Sequence, residues 1–384
     1  MNTIFNNYKT AGLIVFAISL ITFFVTLSTE AQSKQVDYWP TEGWRAATPE
    51  SQGMNSELLV EMFREINNNN IDITSLLIVR KGYVVIEANK KSPVALYPID
   101  CCTASFTSAV FGIALSKGYI KSIDQKITDF FPEILKGDTG SKKPSITLRH
   151  LLTMSSGLEW SHNYEQMMTS NNWAEFVLNK PVIHEPGSVF HYNVGCSYLL
   201  MAVLDKVGLD TEDFAQKHLF TPLGISSTEY MWRKDKYYKG ILEGGAGLIM
   251  RPRDMAKFGY LYLKGGFWDG QQIIPKAWIE ESTKVQIKIP GSSFDTNYGY
   301  QWLVSPFGFA AEGFNGQFIV ISLEHDLVGV LTSNLLGSKA EKAVNLGKTY
   351  ILPAIQTLGP LPANEKATNV LKSEIERFEK YEVE

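Results

Sequence analysis

Cysteine is scarce in this sequence, and that scarcity excludes a disulfide-stabilised scaffold. The 384-residue chain contains three cysteines, Cys101, Cys102 and Cys196, and an odd number leaves at least one thiol unpaired in a monomer. Six scattered histidines occur without Cys-x-x-Cys or His-Glu-x-x-His spacing, so the sequence predicts no metal site. We therefore expect neither a metal nor another cofactor.

An excess of positive charge is also lacking. The formal net charge is -4, basic residues are spread along the chain, and their local clusters, such as Lys90-Lys91 and Lys142-Lys143, are short, which is typical of a solvated face. A nucleic acid is therefore not an expected partner. A hydrophobic content of 45% with 12% aromatic residues is that of an ordinary globular protein. The length suits one compact body with tails at its ends.

Charge is absent from the segment Ala11–Ser28, which follows Lys9. Its length is at the threshold for spanning a bilayer, and the small-x-small pattern Thr29-Glu30-Ala31 resembles a cleavage site. Residues 1–31 are therefore predicted to be a signal peptide or an N-terminal membrane anchor, and we favour cleavage. The protein is expected to be exported, either periplasmic or attached to the membrane through residues 11–28 and facing the periplasm or the exterior.

The spacing of apolar residues divides the remainder into early strands, a helical middle and late strands. Helical spacing covers residues 54–67, and a second, buried helix is expected from Ser105. The predicted strands cover residues 75–79, 84–88, 298–304, 318–322 and 327–332. Because strands come from both ends of the chain, the helical middle is predicted to be an insertion into an α/β body.

These patterns give a domain organisation. Residues 32–46 are predicted to be a linker, residues 47–355 the main domain with a helical insertion at about 105–240, and residues 356–384 a C-terminal tail. Leu371, Ile375 and Phe378 have near-helical spacing in this tail. The tail is expected to be exposed or packed against the body rather than to form a functional module.

Five blocks follow one another between about Ala47 and Leu336. They are SFTS with GYI (105–108, 118–120), ITLRHLLTMSSGL (146–158), EPGSVFHYN (185–193), GGAGL with RDMAKFG (244–248, 253–259) and GFNGQF (313–318). Together they resemble the serine β-lactamase-related family, which includes class C β-lactamases, penicillin-binding-protein-like proteins, esterases and 6-aminohexanoate-oligomer hydrolases. The resemblance implies an α/β (α+β) fold of the β-lactamase/transpeptidase type, with an antiparallel sheet flanked by helices and an all-helical insertion.

The family's Ser-x-x-Lys motif is degenerate in this chain. The block at 105–108 fixes the register, so Cys101 stands at the nucleophile position and Ala104 at the lysine position. By the same resemblance, Tyr192 is the second-loop tyrosine, and Gly313 closes the third motif and belongs to the oxyanion site. Ala311 stands where that motif usually has lysine. An alcohol nucleophile requires a neighbouring base, so these changes remove the family's usual mechanism.

Three interpretations of Cys101 remain open from the sequence. A thiol has a reference pKa of about 8.5 and needs less help than an alcohol, so Cys101 could be the nucleophile with Tyr192 as its proton partner. Alternatively, the protein is an inactive pseudoenzyme that binds a peptide, a cell-wall fragment or a protein partner. A disulfide from Cys101 or Cys102 to Cys196 is the third. Whether the protein is an enzyme thus stays open.

The expected function follows from the resemblance. It implies an exported β-lactamase-related hydrolase homologue that cleaves an amide- or ester-type bond by acyl transfer, in a small-molecule or peptide-like substrate. Lactam hydrolysis is the part with least support, because both lysines typical of lactam-handling members are missing at Ala104 and Ala311. The inactive binding protein is the alternative.

Overall fold

The computed structural model describes residues 38–135, 142–161, 163–236, 239–292, 295–336 and 340–380. The predicted leader, residues 1–31, and residues 32–37 of the predicted linker lie outside these ranges. The chain divides into a unit that ends at Trp39 and a compact unit, Pro40–Glu384, which contains every element below. No helix in the described part of the chain has both the length and the apolar character needed to cross a membrane.

A large, mainly antiparallel sheet forms the centre of the compact unit. Its eight strands lie in the order β1-β3-β2-β13-β12-β11-β10-β9, and only the β1-β3 pair is parallel. Three short strands form a second sheet, β4-β6-β5, and β7 pairs with β8. The strands are β1 (Arg45–Ala46), β2 (Ile73–Arg80), β3 (Tyr83–Asn89), β4 (Tyr97–Pro98), β5 (Tyr230–Trp232), β6 (Leu248–Met250), β7 (Phe267–Trp268), β8 (Gln271–Gln272), β9 (Asn297–Tyr298), β10 (Leu303–Ser305), β11 (Gly308–Gly313), β12 (Gln317–Ser322) and β13 (Leu327–Ser333).

Helices flank this sheet, and eight of those described lie between strands β4 and β9 in the chain. The helices are α1 (Ser56–Asn68), α2 (Thr103–Ser116), α3 (Leu148–Leu152), α4 (Tyr164–Thr169), α5 (Trp173–Leu178), α6 (Val194–Lys206), α7 (Thr211–Ala215), α8 (Pro252–Leu263), α9 (Lys276–Ser282), α10 (Ala340–Leu346), α11 (Leu352–Ala354) and α12 (Glu365–Lys380). The mixed α/β class and the antiparallel sheet flanked by helices are thus confirmed.

The β2-β3 hairpin shows why the early strands form where they were predicted. Both strands consist largely of β-branched and aliphatic residues, and they pair from Ser75 opposite Asn89 to Arg80 opposite Tyr83. The two-residue turn places Lys81 at φ 52° and Gly82 at φ 81°. Positive φ at both central positions matches the twist of a hairpin, and glycine adopts it without strain. The strands predicted at residues 75–79 and 84–88 are thus present and pair as a hairpin.

The late strands differ from expectation in two places. The single strand expected at 298–304 is two short strands, β9 and β10, because the chain turns at Gln301 with φ 64°. The buried Gln301 side chain stabilises this turn by donating to the carbonyls of Leu151 and Leu152 at 2.9 and 3.0 Å. Strand β11 was not predicted, since its glycines and alanines have low β propensity. Helix α2 begins at Thr103 rather than Ser105.

The C-terminal tail contains α12, which packs against α1 on one face of the sheet. Phe378 is 1% exposed, and its ring lies edge-on to Phe63 with a centroid separation of 5.8 Å. Leu371 is buried in the same apolar cluster. The hydrophobic effect therefore ties the end of the chain to its first long helix.

This packing predicts the effect of a tail substitution. Phe378→Ala should lower the free energy of unfolding by about 3–5 kcal/mol, since it leaves a cavity between two helices. Leu358→Ala is the matched control, because Leu358 is 76% exposed and its truncation should have little effect. Urea denaturation followed by circular dichroism measures both. Equal stability of the two variants would contradict the docking of α12.

Candidate active site

Cys101 lies where a short 3₁₀ helix, Asp100–Cys102, runs directly into α2. The side chain of Cys102 is fully buried, and its sulfur contacts the carbonyl oxygen of Gln317 at 3.4 Å. Thr103 is also buried and accepts a hydrogen bond from the backbone N–H of Leu248 at 3.1 Å. Cys101 itself is only partly buried. The buried side chains of Cys102 and Thr103 therefore anchor the segment, while Cys101 keeps part of its surface accessible.

Strand β11 approaches this segment closely at Gly313. A Cβ atom added there would lie 2.4 Å from the carbonyl oxygen of Ile99 and 3.2 Å from the backbone nitrogen of Cys101. The first distance is shorter than atoms tolerate, so only glycine allows the strand this close. On its other edge β11 pairs with β10 only as far as Ala310 opposite Leu303. The edge of residues 311–313 therefore borders an open cleft.

Tyr192 reaches the cleft from the loop that precedes α6. The loop is held in place by a hydrogen bond from the backbone N–H of His191 to the carbonyl of Met154 at 2.7 Å. Tyr192 is 38% exposed, and its hydroxyl lies close enough to the Cys101 sulfur for each group to shift the pKa of the other. The structure thus brings together the predicted nucleophile position and the predicted tyrosine.

The cleft has a volume of about 280 Å³. Three of the four predicted site residues, Cys101, Tyr192 and Gly313, line it. Ala104 does not; it is 2% exposed and packs in the interior. The other lining residues are Ser105, Phe190, Tyr298, Gln301, Leu303, Ala310, Ala311, Glu312 and Phe314. None of these described residues is a lysine, arginine or histidine, so the cleft offers no basic side chain of those types.

The surroundings of Cys101 favour the neutral thiol. Burial is the main cause that raises the pKa of Cys101, and the nearby carboxylates of Asp100 and Glu243 raise it further. The Tyr192 hydroxyl and the backbone N–H of Phe314 act in the opposite direction by hydrogen bonding to the sulfur. The raising causes are stronger, so the thiolate is a minor species at neutral pH.

Tyr192 is no better placed to remove a proton. Burial raises the pKa of Tyr192 well above its usual value, and the neighbouring Cys101 and Tyr298 raise it further. A phenol with a raised pKa stays protonated at neutral pH and acts as a hydrogen-bond donor. Cys101 and Tyr192 are therefore two neighbouring weak acids, and neither serves as a base for the other.

A buried carboxylate lies behind the nucleophile position. The side chain of Glu243 has no exposed surface; Tyr164 donates to its Oε1 at 2.6 Å, and Arg233 Nη1 lies 3.2 Å from its Oε2. Burial raises the pKa of Glu243, whereas Tyr164 and Arg233 oppose that shift. Arg233 is thus engaged by an acid, and it does not replace the missing lysines in the cleft.

Comparison with known proteins assigns the fold. The family model described as Beta-lactamase matches residues 59–349, which is most of the chain. This protein belongs to the β-lactamase family. Beta-lactamase-like protein 4 of Dictyostelium discoideum is 24% identical over an alignment of 275 residues that covers 62% of this chain and 47% of that protein. The chain thus spans about half the length of that curated relative.

Two solved structures are similar to this chain over most of their length. A candidate 6-aminohexanoate-dimer hydrolase from Bacillus anthracis aligns with a TM-score of 0.66 at 20% identity, covering 85% of this chain and 91% of that chain. A family VIII carboxylesterase aligns with a TM-score of 0.62 at 14% identity, covering 80% and 98%. At these identities the likeness shows the shared fold.

Within this family fold, sequence reasoning missed two contributions to the site. The backbone N–H group that acts on the Cys101 sulfur belongs to Phe314, one residue beyond the predicted oxyanion residue Gly313. Gly313 itself allows β11 to approach the backbone of residues 99–101 closely. Gln301 also lines the cleft, and its backbone carbonyl accepts from the Ser105 hydroxyl at 2.7 Å. No sequence motif marks Gln301, because a left-handed turn brings it there.

All three cysteines are free. The sulfur of Cys196 lies 3.3 Å from the hydroxyl oxygen of Ser156, and burial raises the pKa of Cys196 to about 12. The disulfide considered as a third interpretation is therefore not formed in the structure.

The neutral state of Cys101 predicts its reactivity toward iodoacetamide. Alkylation of Cys101 should be slow at pH 7 and should rise with a midpoint above the usual thiol pKa of about 8.5. Tyr192→Phe removes a hydrogen bond that stabilises the thiolate, so its midpoint should move to still higher pH. Mass spectrometry of the labelled peptide across a pH series measures both.

Tyr119→Phe serves as the control, because Tyr119 is 45% exposed and does not line the cleft. It should leave the profile unchanged. A midpoint below the usual thiol pKa in the unaltered protein would show that Cys101 is activated.

Proposed function

We propose that this protein binds a small amide- or ester-containing molecule in the cleft at Cys101 and does not turn it over. The observation that carries the proposal is that no lysine, arginine or histidine lines the cleft within the described residues, and the raised pKa values of Cys101 and Tyr192 agree with it. The inactive-pseudoenzyme alternative is therefore preferred over hydrolysis through Cys101. The ligand class is supported by the family's neighbours, which are named for amide and ester cleavage.

Acyl transfer places two demands on a site, and this one meets neither well. A nucleophile must lose its proton, and water must later be activated to release the acyl group. A positioned general base typically contributes about 10²–10⁴-fold to such a step. The positions that carry lysine in the family are occupied by Ala104 and Ala311. Their methyl groups cannot accept a proton.

Binding a ligand requires hydrogen-bond donors but no base, and the cleft retains such donors. The Phe314 N–H and the Tyr192 hydroxyl converge on the Cys101 sulfur, so both donors are also directed toward a ligand carbonyl placed beside that sulfur. The free edge of β11 at residues 311–313 adds backbone groups that can pair with an amide. Aromatic rings and aliphatic side chains supply the apolar walls that small-molecule sites usually have.

Binding without turnover predicts two measurements. Pentanamide should bind, as detected by saturation-transfer NMR, and p-nitrophenyl butyrate should release no p-nitrophenol above the solution background. Ala310→Trp should abolish pentanamide binding, because the indole would occupy the cleft that Ala310 lines. Val94→Trp is its control, since Val94 is 62% exposed and does not line the cleft.

Continuous release of p-nitrophenol that Cys101→Ala abolishes would contradict the proposal. The double variant Cys101→Ser, Ala104→Lys restores the family's nucleophile and base, so it should gain ester hydrolysis while Cys101→Ser alone stays silent. Silence of the double variant would mean that more of the cleft has changed than these two positions.

A single acylation is the second candidate, and the two donors at the sulfur favour it. In that step the Cys101 sulfur bonds to the acyl carbon, and the alcohol leaves with the thiol proton. The resulting thioester would persist without a base to activate water. It is recognised by release of at most one equivalent of p-nitrophenol per protein and by a matching mass increase at Cys101.

We further propose that the protein acts outside the cytoplasm, on the strength of the uncharged segment Ala11–Ser28. Expressed in a bacterium with two membranes, it should appear in the periplasmic fraction with Gln32 as its first residue, or in the membrane fraction if the leader is retained. Mass spectrometry of the N-terminal peptide distinguishes these forms. A full-length protein in the cytoplasmic fraction would contradict export.

A further inference from the structure

The described lining of the cleft contains an acidic residue but no basic one. Among the twelve described residues that line it, Glu312 alone carries a formal charge at neutral pH, because Cys101, Tyr192 and Tyr298 all have raised pKa values. Ala311 stands next to Glu312, where the family usually has lysine. A ligand carboxylate would thus meet a negative side chain without a basic one.

Glu312 is held in this position by the alternation of β11. Ala311 and Gly313 are buried on either side of it, so its own side chain lies on the other face of β11, the face of Ala310, and Glu312 borders the cleft where β10 no longer pairs with the strand. Its carboxylate forms no hydrogen bond or ion pair within the described residues. Although the residue is exposed, the surrounding protein removes enough water to raise the pKa of Glu312. A partly desolvated and unpaired carboxylate gains most from a cationic partner.

Aromatic rings complete the environment that a cation prefers. Phe190, Tyr192, Tyr298 and Phe314 all line the cleft, and the Phe190 and Tyr298 rings pack with centroids 5.0 Å apart. The negative face of an aromatic ring attracts an ammonium group, most strongly where water is excluded. Rings beside a carboxylate are therefore suited to primary or quaternary ammonium ions.

Two further carboxylates add to the negative electrostatic potential around the cleft. Asp100 and Glu243 are close enough to Cys101 to raise the pKa of its thiol. Arg233 lies near both acids and offsets part of their charge, but it does not line the cleft. A low-dielectric cleft focuses such a potential toward its opening.

We propose that the cleft selects ligands that carry an ammonium group besides the amide or ester carbonyl, with Glu312 as the counter-ion and the aromatic walls as the cation's lining. This inference rests on the proposed function for the binding event and adds the charge of the ligand. Peptides with a free amino terminus and amides of diamines belong to this chemical class. Carboxylate-bearing ligands do not.

Cys101 is a built-in reporter for the charge of the cleft. Methanethiosulfonate reagents form a mixed disulfide with a thiol and release methanesulfinate, and they are available with a trimethylammonium, a neutral methyl or a sulfonate end. Each rate at Cys101, divided by the rate of the same reagent with free 2-mercaptoethanol, reports how the cleft treats that charge. The corrected rates of two reagents are then compared within one variant. Because both rates depend on the same thiolate fraction of Cys101, that fraction cancels in their ratio.

We expect the cationic reagent to exceed the neutral one by about tenfold after this correction, and the anionic reagent to fall below it. Glu312→Gln should reduce the cationic preference about fivefold to tenfold, and Glu312→Lys should favour the anionic reagent. Glu324→Gln is the matched control, because Glu324 is an exposed carboxylate in the β12-β13 turn. It should change nothing. Equal corrected rates for the three reagents, or no response to Glu312→Gln, would overturn the inference.

A non-covalent series separates this inference from the proposed function. The ligands 5-aminopentanamide, pentanamide and glutaramic acid have the same chain length and end in a cation, a neutral group and an anion. Protection of Cys101 from the neutral reagent should be strongest with 5-aminopentanamide and weakest with glutaramic acid. Equal protection by all three would overturn the charge selection and leave binding in place. No protection by any of them would overturn both.

Discussion

The approach of Gly313 to the backbone of residues 99–101 holds the site together. A strand and a helix start meet there at a separation that excludes a side chain, since a Cβ atom would lie 2.4 Å from the Ile99 carbonyl oxygen. Because β11 is fixed at this point, the next backbone N–H, that of Phe314, is directed at Cys101. The cleft is the space that remains between this contact and the Tyr192 loop. Each chemical feature of the site therefore depends on one glycine.

This frame is that of the β-lactamase family, while the side chains placed on it have changed. The family mechanism combines a nucleophile with a cationic lysine that can exist as a base. Here the interior position next to the nucleophile is Ala104, which is 2% exposed. A thiol requires less activation than an alcohol, but its pKa is raised rather than lowered in this environment. The backbone donors of the frame survive, so recognition of a carbonyl is retained more readily than its cleavage.

More of the fold than of the site's chemistry could be predicted from the sequence. The strands β2, β3, β12 and β13 were predictable because their β-branched runs are long and buried. Strand β11 was not, since its Ala and Gly residues have weak local preferences and the strand is imposed by its neighbours.

The site divides in the same way. Cys101, Tyr192 and Gly313 were identified by motif and do meet at the cleft. Burial, which is a property of the packed chain, decides the protonation of the first two, and no motif encodes it. The donor at Phe314 depends on backbone orientation and has no signature in its side chain. Asp100 and Glu243 are far apart in the sequence, yet both lie close enough to Cys101 to raise the pKa of its thiol. Only the folded chain therefore reveals the acidic surroundings of Cys101.

One electrostatic cause connects the inert thiol with the expected ligand. The lysine positions of the family are alanines here, while Asp100, Glu243 and Glu312 remain around the cleft. Negative charge that Arg233 offsets only in part raises the pKa of a thiol, because it disfavours a second anion. The same charge attracts a cation into the cleft. A bound ammonium group would in turn offset part of the potential at Cys101 and lower the pKa of its thiol. Ligand binding and thiol ionisation are thus thermodynamically linked, and each must favour the other by the same factor.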